Sequence, residues 1–183
     1  MTSYHSRLTL LPTIQTNEPV ATAQSRAAVA VLVRPDDHIY MIRRAVKEGD
    51  YWSGHMGFPG GREEDIDGGL LQTAIRETEE EIGVAIVAEQ CRGRLSDLNH
   101  PKLQVAAFVF SLESSVECVL EESEVAEVHW LPLQAFTNPA LRSTRSATYK
   151  GQEYDAPVVN IGTADVWGIS LRFIEDLLRR LDS

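Results

Sequence analysis

Apolar and polar positions along this chain follow two rhythms. Residues 27–33 (AAVAVLV) and 105–110 (VAAFVF) are continuous apolar runs, rich in β-branched side chains, as in strands covered on both faces. Pro35, Asp36 and Asp37 turn the chain after the first run, and residues 39–42 return as a second strand. Residues 84–87 and 91–95 read as further strand, and 125–131 (VAEVHWL) alternates toward another that Pro132 ends. The second rhythm is helical. Leu71, Ala74, Ile75, Thr78 and Ile82 form one stripe, and within 164–181 Trp167, Leu171, Ile174, Leu178 and Leu181 form another. The latter reads first as core packing and second as an oligomer interface, which makes a homodimer one of the expected assemblies. Residues 1–25 lack a period and are expected to be a short helix or docking arm ahead of a single domain over 26–183. Strands interspersed with two helices predict an α/β fold, with helices on both faces of a mixed sheet.

The first helix changes character on its other side. Glu77, Glu80 and Glu81 stand at i, i+3 and i+4, so a helix carries all three together, away from the apolar stripe. Clustered carboxylates repel one another unless a cation sits among them. Mg²⁺ or Mn²⁺ fits that need, because hard divalent ions prefer carboxylate and carbonyl oxygen and bridge carboxylates to phosphates. Upstream, Pro59, Gly60 and Gly61 allow a tight turn and a close backbone approach, so the carbonyl of Gly60 is a candidate ligand. A run of glutamates alone would be an ordinary solvated face. The glycine turn and Arg76 argue for a site instead.

Together these residues resemble the Nudix box of the Nudix hydrolases. Gly61 opens it, Arg76, Glu77, Glu80, Glu81, Gly83 and Val84 fill its second half, and Thr78 takes its first aliphatic place. The first-half glutamate is replaced by Asp67, and one extra residue separates that position from Arg76. Asp67 keeps an acceptor near the helix start, where a carboxylate is expected to cap free N–H groups. The resemblance implies a three-layer α/β/α sandwich around a mixed sheet. It further implies hydrolysis of a pyrophosphate in a nucleoside diphosphate derivative, with Glu80 and Glu81 mainly on the metal and Glu77 sharing metal binding or orienting water. Arg76 reads as the ion-pair partner that steadies these glutamates. Glu124, six residues before Trp130, stands where several members place a further metal ligand, although Glu121, Glu122 and Glu127 crowd the same segment. His55 and His100 are weaker candidates for a base.

Outside the box, Arg43 and Arg44, the G-x-x-x-F-P-G-G approach from Gly54, and Pro157 followed by VWGISLRFIEDLL are similar to the coenzyme A pyrophosphatase branch. That branch carries Arg-Ser and a His upstream of FPGG, where this chain has Arg44-Ala45 and Trp52. Coenzyme A or an acyl derivative is the substrate this implies. ADP-ribose, dinucleoside polyphosphates and a non-catalytic nucleotide-sensing role are the alternatives. Arg43, Arg44 and Arg62 are arginines near the box in sequence and the expected phosphate contacts, with plain strand-end charges as the other reading of the first two. Residues 47–57 (KEGDYWSGHMG) form a loop of the kind that carries recognition.

Composition narrows the class. A chain of 183 residues with 43% hydrophobic content is long enough to bury a sizeable core. The formal charge of −10 disfavours sequence-independent binding to nucleic acid, which draws its affinity from Lys and Arg on phosphates, but leaves room for a small phosphorylated ligand. No apolar run is long enough to span a bilayer, and the N-terminal residues lack the pattern of a signal peptide, so a cytoplasmic protein is expected. Cys91 and Cys118 do not have metal-ligand spacing and are expected to be free thiols.

Overall fold

The computed structural model describes residues 3–8, 11, 25–50, 52–100, 103–113, 116–149 and 151–182. The two apolar runs become the parallel centre of a sheet. Strand β1 (Arg26–Val33) pairs in parallel with β7 (Leu103–Ser111) from Arg26 opposite Gln104 to Val33 opposite Ser111. Antiparallel partners extend this pair on both sides. They are β2 (His38–Arg44), β3 (Met56–Gly57) and β4 (Gly60–Arg62) toward one edge, and β5 (Cys91–Arg94) and β6 (Leu98–His100) toward the other. Strand β8 (Val125–Pro132) lies on β2, with Ile39 opposite Leu131 and Tyr40 opposite Trp130.

The period of two along each central strand divides the interior into two layers. In β1, Val31 and Val33 join one apolar cluster while Ala28, Ala30 and Leu32 join the other. In β7, Val105, Ala107 and Val109 separate in the same way from Ala106, Phe108 and Phe110. Helix α2 (Leu70–Ile82) closes the second cluster through Leu70, Ala74 and Ile82, with Leu71 and Ile75 partly buried against it. Helix α3 (Gly168–Leu181) closes the first through Leu171, Phe173, Ile174, Leu177, Leu178 and Leu181. Each fully buried side chain of this size contributes about 1.5–3 kcal/mol. The result is an α/β sandwich with a helix on each face of a mixed sheet, and the stripe on α3 faces the chain's own core.

Two expectations change, and the N-terminal one takes a definite form. Residues 84–87 alternate between buried Val84 and Ile86 and exposed neighbours, as a strand would, but among the described residues no strand pairs with them. Within 164–181 the helix begins only at Gly168, because Ala164–Trp167 is strand β11. It pairs with β10 (Gln152–Ile161), which pairs with β9 (Arg142–Tyr149) in a separate three-stranded sheet. In the N-terminal segment, α1 (Tyr4–Arg7) is a short helix, and Leu8 and Leu11 are buried in the cluster under α3. His5 N–H donates to Asp37 Oδ1, and Arg7 Nη1 donates to the Leu181 carbonyl, so this part of the arm docks on the sheet and on α3. The rest of the expected arm, 12–24, lies outside the described residues.

Candidate active site

Strand β4 carries the glycine turn to α2. It is antiparallel to β1, with Val29 opposite Gly60 and Ala28 opposite Gly61. Gly60 N–H donates to Glu81 Oε2 at 2.9 Å, which fixes the last box glutamate against the turn. A Cβ on Gly61 would stand within the contact radius of the Glu77 carboxylate, so the absence of a side chain there is what makes room for Glu77.

The start of α2 is held by a clamp rather than a cap. The N-cap is Gly69, with no side-chain hydrogen bond to the helix, so Asp67 does not take the expected capping role. Asp67 accepts from Arg76 Nε at 2.8 Å and Nη2 at 3.0 Å, and from Thr73 Oγ1 at 2.8 Å. The Arg76 guanidinium beside Asp67 holds its carboxyl well below the usual range, against the opposing effect of burial. Arg76 also donates to Glu77 at 3.0 Å, to Glu80 at 2.8 Å and to the Arg62 carbonyl at 3.1 Å. With its donors on Asp67, Glu77, Glu80 and the Arg62 carbonyl, Arg76 ties the parts of the box to one another.

The end of α2 explains how a distant acidic segment reaches the box. Gly83 takes the left-handed conformation at φ 67° and donates back to the Glu79 carbonyl. The Glu81 and Ile82 carbonyls, which a helix end leaves unsatisfied, accept from Glu121 N–H and Val119 N–H at 2.9 Å each. A turn follows in which Glu124 N–H donates to the Glu121 carbonyl. The helix terminus thereby anchors the segment bearing Glu121 and Glu124.

These elements enclose a cleft of about 560 Å³ lined by Arg44, Gly60, Gly61, Arg62, Glu64, Arg76, Glu77, Glu80, Glu81, Glu121 and Glu124. Burial pushes the Glu81 carboxyl up to about 7, opposed by the Gly60 N–H bond and by Arg44 and assisted by Glu77 and Glu124. Burial raises Glu77 as well, against the pull of Arg76. Buried Glu81 and half-buried Glu77, whose negative charge burial disfavours, mark a place where a cation would be favoured. All the side-chain donors facing it are hard oxygens, which suits Mg²⁺ or Mn²⁺. Among the described residues no three such groups converge into a ready-made metal cage. Glu80 leans on Arg76, Glu81 on Gly60 and Glu124 on Lys47.

The sequence-based phosphate contacts divide. Alternation along β2 sends Arg44 to the cleft and Arg43 elsewhere. Arg43 is spent on Glu127 at 3.0 Å, the Thr163 carbonyl at 2.7 Å and Asp165 at 3.4 Å, which removes it from the expected substrate contacts. Arg44 donates to Asp50 at 3.2 Å, and its buried Nε has no hydrogen-bond partner, so it retains donor capacity for an anion. Arg62 lines the cleft and donates to Ser25. His55 packs its ring on Trp167 at 4.8 Å and does not line the cleft, and the side chain of His100 is outside the described set. Sequence reasoning missed Asp50 and Glu64. Asp50 sits among loop residues with no periodic pattern, and Glu64 in an acidic run where no spacing singles it out. Cys91 and Cys118 are both free.

The comparisons with known proteins bear on the family and the fold. The model of the NUDIX domain matches residues 24–150. An uncharacterized protein of Schizosaccharomyces pombe is 36% identical over 105 residues, or 52% of this chain and 32% of that protein. The uncharacterized Nudix hydrolase NudL of Yersinia enterocolitica is 30% identical over 109 residues, or 57% of this chain and 54% of its own. The aligned parts are thus about a third and about half of these two relatives. Among solved structures, the MutT/nudix family protein of Enterococcus faecalis superposes with a TM-score of 0.59 at 17% identity, over 92% of this chain and 66% of that one. At that identity the likeness concerns the fold.

Proposed function

Since this chain belongs to the NUDIX domain family, whose model spans well over half of it, we propose that it hydrolyses the pyrophosphate of a nucleoside diphosphate derivative, with coenzyme A or an acyl-coenzyme A as substrate. The observation that carries the reaction class is the cleft in which Glu77, Glu80, Glu81 and Glu124 face Arg44 and the glycine turn. The choice of coenzyme A rests on the sequence around it, namely the FPGG approach from Gly54 and the late Pro157 and Trp167-Gly168 segment.

Glu80, Glu81 and Glu124, with a share from Glu77 and the carbonyl of Gly60, would hold Mg²⁺ or Mn²⁺, which supplies neutralisation of phosphate oxygens and activation of water. Glu77 orients the attacking water, fixed by Arg76 on one side and by the space at Gly61 on the other. Arg76 holds Glu77 and Glu80 in position. Arg44 and Arg62 are the cations left for substrate phosphates, including the 3′-phosphate that distinguishes coenzyme A. The place of action we assign is the cytoplasm; no described helix is long and apolar enough to cross a membrane.

The test is a panel of coenzyme A, dephospho-coenzyme A, ADP-ribose and dinucleoside polyphosphates with Mg²⁺ or Mn²⁺, read by product identity. The expected products are 3′,5′-ADP and 4′-phosphopantetheine. A kinetic preference for ADP-ribose or a dinucleoside polyphosphate overturns the substrate, and no turnover of any member overturns the activity.

A further inference from the structure

The loop between β2 and β3 places an ammonium beside Glu124 of the cleft. Lys47 Nζ stands 3.6 Å from Glu124 Oε1, and both side chains are a little under half exposed. The backbone behind them is fixed. Ala45 N–H donates to the Glu124 carbonyl at 2.8 Å, Lys47 N–H to Ser53 Oγ at 2.7 Å, and Asp50 N–H to the Lys47 carbonyl at 3.3 Å. A flexible four-carbon stem therefore carries a point charge from an anchored root at the edge of the cleft.

The charge inventory shows what that ammonium can do. The cleft lining holds six glutamates (Glu64, Glu77, Glu80, Glu81, Glu121 and Glu124) against three arginines. Arg76 is committed to Asp67, Glu77 and Glu80, and Arg44 is shared with Asp50. A pyrophosphate entering such a cleft needs a further cation. An exposed ion pair such as Lys47 with Glu124 is worth only about 0.2–1 kcal/mol, so giving it up is easy.

We propose that Lys47 is a hand-over residue, neutralising Glu124 while no divalent cation is bound and turning to a phosphate of the substrate once Glu124 serves the metal. This rests on the reading of Glu124 as a metal ligand. Lys47 thus competes with the metal and cooperates with the substrate, so its removal moves the two affinities in opposite directions. A lysine that merely braced the loop would move both the same way or neither.

The experiment compares wild type with Lys47→Met, which keeps the stem and deletes the charge, and with Lys47→Arg. Binding of Mn²⁺ alone is read by electron paramagnetic resonance of the free ion. Binding of methylenediphosphonate, a pyrophosphate analogue that cannot be hydrolysed, is read by calorimetry on Mn²⁺-saturated protein. Lys47→Met is expected to bind Mn²⁺ about two- to fivefold more tightly and the analogue about tenfold more weakly, while Lys47→Arg stays near wild type in both. Weaker Mn²⁺ binding by Lys47→Met, or unchanged affinity for the analogue, overturns the proposal. Absence of Mn²⁺ binding to wild type overturns the metal site and the hand-over together. The opposed shifts, in a protein that cleaves none of the substrate panel, uphold the hand-over and discard the proposed hydrolytic activity alone.

Discussion

The three box glutamates differ sharply in burial, with side-chain accessibility of 58% at Glu80, 14% at Glu77 and 3% at Glu81. Glu80 is therefore the position where charge can be deleted with least disturbance to packing. Glu80→Gln should lower turnover on the order of a hundredfold or more while leaving the melting temperature within a degree or two of wild type, by about the effect of one exposed pair. Turnover close to wild type at saturating metal would remove Glu80 from the machinery. Glu124 calls for a matched control. Glu121 also lines the cleft, whereas Glu122 does not, so Glu124→Gln should raise the metal concentration needed for half-maximal activity well beyond Glu122→Gln. Equal small effects would return this segment to a solvated acidic turn. Gly61→Ala tests the packing side of the same site. The added methyl meets the Glu77 carboxylate and cannot be accommodated unless that group moves. Activity should fall at least tenfold, since a displacement near 1 Å can cost about a hundredfold, with circular dichroism unchanged. Full activity would mean that Glu77 has freedom the geometry denies it.

At the scale of elements, the sequence was legible along the central strands and α2, where burial imposes a long period, and misled at 84–87, where a short alternation is not a strand. Strands β1, β2 and β7 and helix α2 are apolar in the rhythm their geometry requires, and the box glutamates sit on the helix as their spacing predicts. The hairpin of β9 and β10 was not legible, because its strands are mostly exposed and RSTRSATY carries no apolar alternation. Helix α3 was drawn four residues too early for a related reason. Trp167 fits the helical stripe by spacing, yet its backbone is extended and pairs with Val158. Arg43 and Arg44 look alike in sequence, and only strand alternation separates the one in the cleft from the one tied to Asp165. Asp176 on α3 offers a test of packing between elements. It accepts from Ser96 N–H at 2.8 Å and pairs with Arg179 and Arg180, joining the helix to the loop after β5. Burial alone would raise its carboxyl, but these partners outweigh it and hold the group below its ordinary value. A depressed folded pKa gives stability that is present above about 3.9 and lost as pH falls through the lower folded value. Asp176→Asn should cost about 1–3 kcal/mol at pH 7, and the gap from wild type should narrow in acid below pH 4. A gap that stays constant to pH 2.5 would assign the effect to shape rather than charge.

For the molecule as a whole, the net charge of −10 includes a cleft, where the sheet, α2 and the segment after Val119 meet, that holds six glutamates against three arginines. Folding brings Glu124 up to Glu77, Glu80 and Glu81, already neighbours in the sequence, and withdraws Glu77 and Glu81 from water, so the cleft opposes folding unless its charge is answered. Glu81 shows the sign. Burial lifts its carboxyl to about 7, above an unfolded value of about 4.3, so between those values the folded state binds the extra proton. The Glu81 contribution to the stability of the metal-free protein then falls as pH rises from about 4.3 through about 7. A divalent cation prefers the ionised carboxylates and has to displace that proton, so its binding strengthens over the same interval. Metal at a hundred times its dissociation constant stabilises by about 2.7 kcal/mol, which is roughly 5–10 °C for a chain of this size. The difference in melting temperature between Mn²⁺ and chelator should therefore be small at pH 5.5 and several degrees larger at pH 8, and Glu81→Gln should flatten it. An equal gain at both pH values would separate metal binding from the buried carboxylate and place the cation elsewhere on the protein.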